Sequence, residues 1–161
     1  MPDKLLILLP TGKELTMKTM LIEWPELGVK VEAALEDVRN ADLINEIWEH
    51  LPMVAVQEHA AVTGKSMYAW VPMVSTAEIP FQMRIKDTPP GVVSYSQKTG
   101  NKMIVRYGKV TEDLMTPIVG FIDQKYVPEL EKVGQAVWNN YKLDADERKL
   151  YTVKFSKGRD E

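Results

Sequence analysis

With 161 residues, 45% of them hydrophobic and 27% charged, the chain has the make-up of one globular domain with a core of useful size. A net charge of −3, with Lys and Arg scattered singly, argues against a nucleic-acid surface, which needs clustered cations. Cysteine is absent and histidine occurs twice, which removes disulfides, thiolate metal sites, a cysteine nucleophile and a three-histidine zinc centre.

In chain order, residues 5–9 form an apolar run stopped at Pro10. The run is too short for a signal-peptide core with its flanks and far too short to cross a bilayer. Residues 1–16 are expected to be a leader, with Met17 as a second start, or an extra strand before the turn Pro10-Thr11-Gly12-Lys13. Residues 17–156 are expected to form the domain and 157–161 a charged tail, in a cytoplasmic protein without membrane contact.

Segments 20–24 and 28–35 read as strands joined through Pro25-Glu26-Leu27-Gly28, since Val29, Val31 and Ala33 alternate with Lys30 and Glu32. The period changes over 37–51. Leu43, Ile44, Ile47, Trp48 and Leu51 fall at helical spacing there, with Asp42, Asn45, Glu46 and Glu49 facing away. Asp37 or Asn40 is the expected cap, and Pro52 ends the helix. Strands follow at 53–60 and 66–71 around Thr63-Gly64-Lys65, then loops at 77–80 and at Asp87-Thr88-Pro89-Pro90-Gly91. Segments 92–97 and 102–107 flank the hairpin turn Lys98-Thr99-Gly100-Asn101, and 116–122 is a further short apolar piece. A second helix is expected over 128–141, with Pro128 near its first turn and Leu130, Val133, Val137 and Trp138 as its stripe. Segment 150–155 closes the domain as a last strand. The pattern predicts a mainly β protein, a closed β-barrel whose open ends are capped by two amphipathic helices.

Several short motifs occur in a fixed order: His59-Ala60 followed by Gly64, Glu78-Ile79-Pro80, Pro89-Pro90-Gly91, Arg106-Tyr107-Gly108, and the helix from Leu130 to Trp138. In that order they resemble the small prokaryotic cyclophilin-like families of unknown activity, over most of residues 20–155. The resemblance implies the cyclophilin-like barrel more than any activity. Those families place a basic and an aromatic residue after the His-Ala pair, whereas this chain has Ala61 and Val62. True cyclophilins lower a barrier of roughly 18–20 kcal/mol to rotation about the peptide bond before proline. They aim an arginine at the prolyl nitrogen beside an apolar slot. Arg84 and Arg106 are the arginines of the strand block, and the Phe-His-Arg and Gln-Gly-Gly runs of cyclophilins are absent.

His59 is the leading candidate. It shares a strand face with Ala55 and Gln57, opposite Val54, Val56 and Ala60, and near neutral pH it can donate, accept or shuttle a proton. Glu78, restrained by the following proline, is its candidate carboxylate partner. Tyr68, Arg106, Tyr107 and Gly64 are candidate ligand-binding residues at the barrel rim. Arg106 suits a carboxylate clamp. Neighbouring strand residues point to opposite faces, so Arg106 and Tyr107 are not expected to share a ligand. Tyr68 and Trp70 share a face and belong to the barrel core or to a pocket, and Trp48 and Trp138 are expected in the core.

No phosphate loop, nucleotide fingerprint, zinc motif or nucleophile elbow is present, so no cofactor and no metal are expected. The leading expectation is a small-molecule or short-peptide binding module with its ligand at the rim near His59. An enzyme acting on an amide-type metabolite, with His59 as acid/base, is the alternative. Prolyl isomerase activity and a structural, homo-oligomer-forming role are further ones.

Overall fold

The computed structural model describes residues 6–8, 14–16, 18–98 and 100–160. Strand β1 (Leu6–Leu8) pairs antiparallel with β2 (Glu14–Thr16). The expected turn at Pro10 to Lys13, and Thr99 of the expected hairpin turn, lie outside the described residues.

The domain proper begins with β3 (Thr19–Trp24) and β4 (Val29–Leu35), joined by the short turn Pro25–Leu27 and by Gly28. Helix α1 (Ala41–His50) follows, then β5 (Met53–Val56), β6 (Glu58–His59) and β7 (Gly64–Trp70). Next come the short β8 (Gln82–Arg84), β9 (Val92–Ser96), β10 (Lys102–Val110) and β11 (Met115–Ile122). Helix α2 (Val127–Asn140) and β12 (Thr152–Lys157) complete the chain.

Among the described residues, nine antiparallel strands follow one another in the order β5-β12-β3-β4-β11-β9-β10-β7-β6. The two ends of that order are adjacent in the chain, which is what brings the sheet round. Met53–Val56 pairs with β12, Glu58–His59 pairs with β7, and Gln57 between them spans the seam. Its backbone N–H donates to Tyr151 O at 2.8 Å, and its side-chain amide donates to Tyr68 O at 2.9 Å. Its Oε1 accepts from the Trp24 indole at 2.8 Å. A sheet nearly closed in this way leaves little unpaired edge, and β8 is attached outside the circuit, on the first residues of β11.

Alternation decides what fills the barrel. Met67 and Ala69 of β7, Met103, Val105 and Tyr107 of β10, and Val93 and Tyr95 of β9 point inward and are buried. They join Met20, Ile22, Trp24 and Phe155 in one core. Helix α1 adds Leu43, Ile44 and Ile47 to it, and α2 adds Leu130, Val133 and Val137, as the helical spacing predicts.

Three local expectations change. Asn40 does occupy the cap position of α1, but its side chain does not cap the helix. Instead its amide donates to Phe81 O and Ile118 O at 2.8 and 2.7 Å, while its oxygen accepts from Phe81 N at 2.9 Å. Tyr68 and Trp70 are not barrel core; they stand on the outer face, because the wholly apolar pair Met67 and Ala69 takes the inside. Trp48 is half-buried at the edge of the core, with Lys18 and Lys157 Nζ 5.0 and 5.4 Å from its ring centre.

Candidate functional site

His59 faces inward on β6, opposite Met67 of β7, and only 6% of it is exposed. Both ring nitrogens are engaged. Nδ1 lies 2.7 Å from Ala60 O, and a carbonyl can only accept, so the proton sits on Nδ1. Nε2 then accepts from the Tyr107 hydroxyl at 2.6 Å. The ring lies 5.0 Å from that of Trp138 and 5.7 Å, edge-on, from that of Tyr107. Burial pushes the imidazole pKa below its ordinary value, with the Ala60 carbonyl opposing the shift in part. Burial also raises the Tyr107 phenol, and the charge of Glu131 adds to that effect.

The same network fastens α2. The Tyr141 hydroxyl, just past the helix end, accepts from His59 N at 2.6 Å and donates to Glu58 Oε2 at 2.8 Å. Burial first, and the Glu58 carboxylate second, raise its pKa to about 12. This is a satisfied set of polar groups under a helix, in which His59 holds the base of the loop at 60–63.

Glu78 is exposed on the loop after Met73. The structure does not bring it to His59, whose ring nitrogens are taken by Ala60 and Tyr107. The carboxylate nearest that network is Glu58, which touches Tyr141. Arg106 and Tyr107 separate as strand geometry requires: Tyr107 turns inward to His59, and Arg106 turns outward. The Arg106 guanidinium donates to Gly108 O, to Ile85 O and to both oxygens of Thr88. It pins the turn before Pro89-Pro90-Gly91, and burial holds its pKa below the usual value. Gly64 has φ +110°, and a Cβ there would meet Lys109 O at 2.4 Å, so the start of β7 can lie against the end of β10 only with glycine.

The accessible site is elsewhere, on the outer face of β9, β10 and β7. A groove of about 560 Å³ runs across it, within the usual range of about 300–1,000 Å³ for small-molecule sites. Strand register builds its floor in rows. Ser96 and Lys102 lie in one and Ile104 and Tyr68 in the next, with Trp70 paired to Lys102 just outside the lining. Residues 60–63 border one end, and Gln82 of β8, Ile85 just after it, Leu114 and the first residues of β11, Met115 to Pro117, form a wall. Asn40 fixes that wall from behind through Phe81 and Ile118.

The chemistry of the groove is uneven along its length. At one end the Lys102 ammonium lies 4.9 Å from the centre of the Tyr68 ring and 4.7 Å from that of Trp70, which meet edge-on. Lys98 lines the same end. Glu112 lines the other end, beside the loop at 60–63, to which Thr111 N binds at Thr63 O. Among the described residues none of Lys98, Lys102 and Glu112 forms an ion pair.

Of the sequence candidates, Tyr68 lines this groove, while His59 and Tyr107 meet each other on the inside. Lys98, Lys102, Ile104 and Glu112 were not singled out from the sequence. The usable signal lies in segment 102–107, where Lys102, Ile104 and Arg106 alternate with Met103, Val105 and Tyr107, so the first set had to face outward beside Tyr68. Among the described residues no group of three His, Cys, Asp or Glu side chains could hold a metal, and no helix is long and apolar enough to cross a membrane.

No family model matches the chain, and no curated protein matches it. Among solved structures, it is similar to McbB, whose structure was determined in complex with tryptophan, with a TM-score of 0.76 and 26% identity. The match covers 88% of this chain and 45% of McbB, so the chain spans less than half the length of that protein. The hypothetical protein AF2241 from Archaeoglobus fulgidus, known from a solution structure, matches over 88% of this chain and 95% of its own, with a TM-score of 0.54 and 10% identity. The chain therefore shares its barrel fold with both.

Proposed function

We propose that the chain is a cyclophilin-like binding module whose outer groove takes a small molecule or short peptide carrying an aromatic ring and a carboxylate. The observation that carries this reading is Tyr68 and Lys102 in the lining at one end of the groove, with the Trp70 ring against both just beside it. An exposed ring beside an ammonium that has no acidic partner among the described residues offers stacking and charge to an aromatic acid at once. The likeness to McbB, solved with tryptophan, supports the same class of ligand. The expected location shifts from the rim at His59 to the outer face, since His59 is enclosed and its ring nitrogens are satisfied.

Binding suits the groove better than prolyl isomerisation does. That reaction wants a guanidinium aimed at a prolyl nitrogen, and here Arg106 is bound to backbone carbonyls while Arg84 pairs with Asp113.

Calorimetry with tryptophan, phenylalanine and indole-3-carboxylate tests the reading. Saturable binding is expected, weakened about tenfold or more in Tyr68→Ala and in Lys102→Met, the equivalent of about 1.4 kcal/mol in each case. Both side chains stand outside the core, so the variants should melt near the parent temperature. Absence of binding by every aromatic acid, or binding indifferent to both substitutions, overturns the reading.

A further inference from the structure

We infer that the groove is built for an elongated ligand with oppositely charged ends: a short extended peptide with a free N-terminus at Glu112 and an aromatic C-terminal residue at Lys102. The inference rests on the binding reading above and goes beyond it by assigning the far end of the groove.

The argument is one of charge and length. The charged residues lining the groove are Lys98, Lys102 and Glu112. Lys102 stands opposite Trp70 in the register of β10 with β7, and Val110 stands opposite Gly64. Trp70 and Gly64 are six positions apart on β7, about 20 Å at the rise of a strand. Glu112 lies two residues beyond Val110, held beside Thr63 by the Thr111 N–H donating to Thr63 O.

In a free amino acid the ammonium and carboxylate are attached to the same carbon. A single molecule of that size can reach the cations or the acid but not both. Long side chains at each end shorten the gap, and at about 3.3–3.6 Å per extended residue roughly three to five peptide residues bridge it. Between the charged ends the lining is mixed in character. Ser66, Gln82 and Thr116 offer partners to a peptide backbone, and Ile85, Ile104 and Leu114 offer apolar surface to its side chains. A ligand with one charge only would leave Glu112, or the two lysines, without a use in the groove.

Peptides, combined with two variants of the protein, test this. Calorimetry compares Ala-Ala-Ala-Trp with its N-acetylated form, its C-amidated form, and free tryptophan. The tetrapeptide is expected to bind at least about tenfold more tightly than free tryptophan, and either blocked form to lose about tenfold, the size of one charge-assisted hydrogen bond. Glu112→Gln should abolish the penalty for N-acetylation while keeping the penalty for C-amidation, and Lys102→Met should do the reverse. Circular dichroism and melting of both variants confirm that they are folded. Free tryptophan binding as tightly as the tetrapeptide, with acetylation without effect, overturns the inference and leaves the aromatic-acid reading standing. No binding by any of them overturns both.

Discussion

At His59 the physical state of one ring follows from its neighbours. The Ala60 carbonyl fixes the proton on Nδ1, the Tyr107 hydroxyl donates to Nε2, and burial disfavours the charged form. The folded-state pKa is therefore below 6.5, so in acid the unfolded chain binds the proton more readily than the folded one. The stability His59 contributes is present above the unfolded pKa and is lost as pH falls through the folded value. Urea unfolding at a series of pH values should show stability declining below about 6.5, with that limb reduced in His59→Gln. Tyr107→Phe removes the donor to Nε2 and leaves a buried acceptor unpaired, an expected loss of about 1–3 kcal/mol in the same assay. Tyr141 works in the opposite direction. Its pKa near 12 lies above the ordinary 10, so its contribution is complete below pH 10 and fades as pH rises toward 12.

At the scale of elements, Asn40 shows how a residue at a helix start can serve a distant wall. Its three hydrogen bonds tie α1 to Phe81, just ahead of β8, and to Ile118 in β11, and Gln82 and residues 115–117 beside them line the groove. Asn40→Ala should cost at least about 2 kcal/mol, because it leaves buried backbone groups without partners. Amide exchange should quicken first at Phe81 and along β8, and affinity for aromatic ligands should fall although Asn40 does not line the groove. Local pattern made much of this architecture legible. The stripes of both helices, the alternation in β4 and the opposite facing of Arg106 and Tyr107 all follow from residue spacing. The strand β8 did not emerge, because three residues with exposed Gln82 and Arg84 carry too short a pattern to separate from loop. The role of Asn40 was hidden for a different reason: capping is the local use of an asparagine, whereas its partners lie 41 and 78 residues away. The groove was hidden in the same way, since its floor is assembled by register across three strands and its wall comes from a fourth and fifth.

For the whole molecule, the question is how a nearly closed barrel and the helix on it are made into one unit. The contact is close at Gly134, where a Cβ would lie 2.2 Å from the Tyr107 ring. That ring cannot simply swing aside, because its hydroxyl is bonded to His59 and its body is buried. Gly134→Ala must therefore either lift α2 or break the Tyr107–His59 bond. Overpacking of this kind costs about 1–3 kcal/mol. If the helix and the buried network form one cooperative structure, the cost is not additive with that of Tyr107→Phe, since each substitution disrupts the same bond. A double-mutant cycle by urea unfolding should give an interaction of about 0.5 kcal/mol or more. The His59 resonance in Gly134→Ala should titrate nearer its ordinary value as water reaches the ring. Additive costs with an unchanged His59 titration would mean that α2 yields locally and that the network beneath it stands alone. The outer groove lies on the other face of β10, so ligand affinity should change little in Gly134→Ala if the barrel itself, rather than its helix, supports the binding surface.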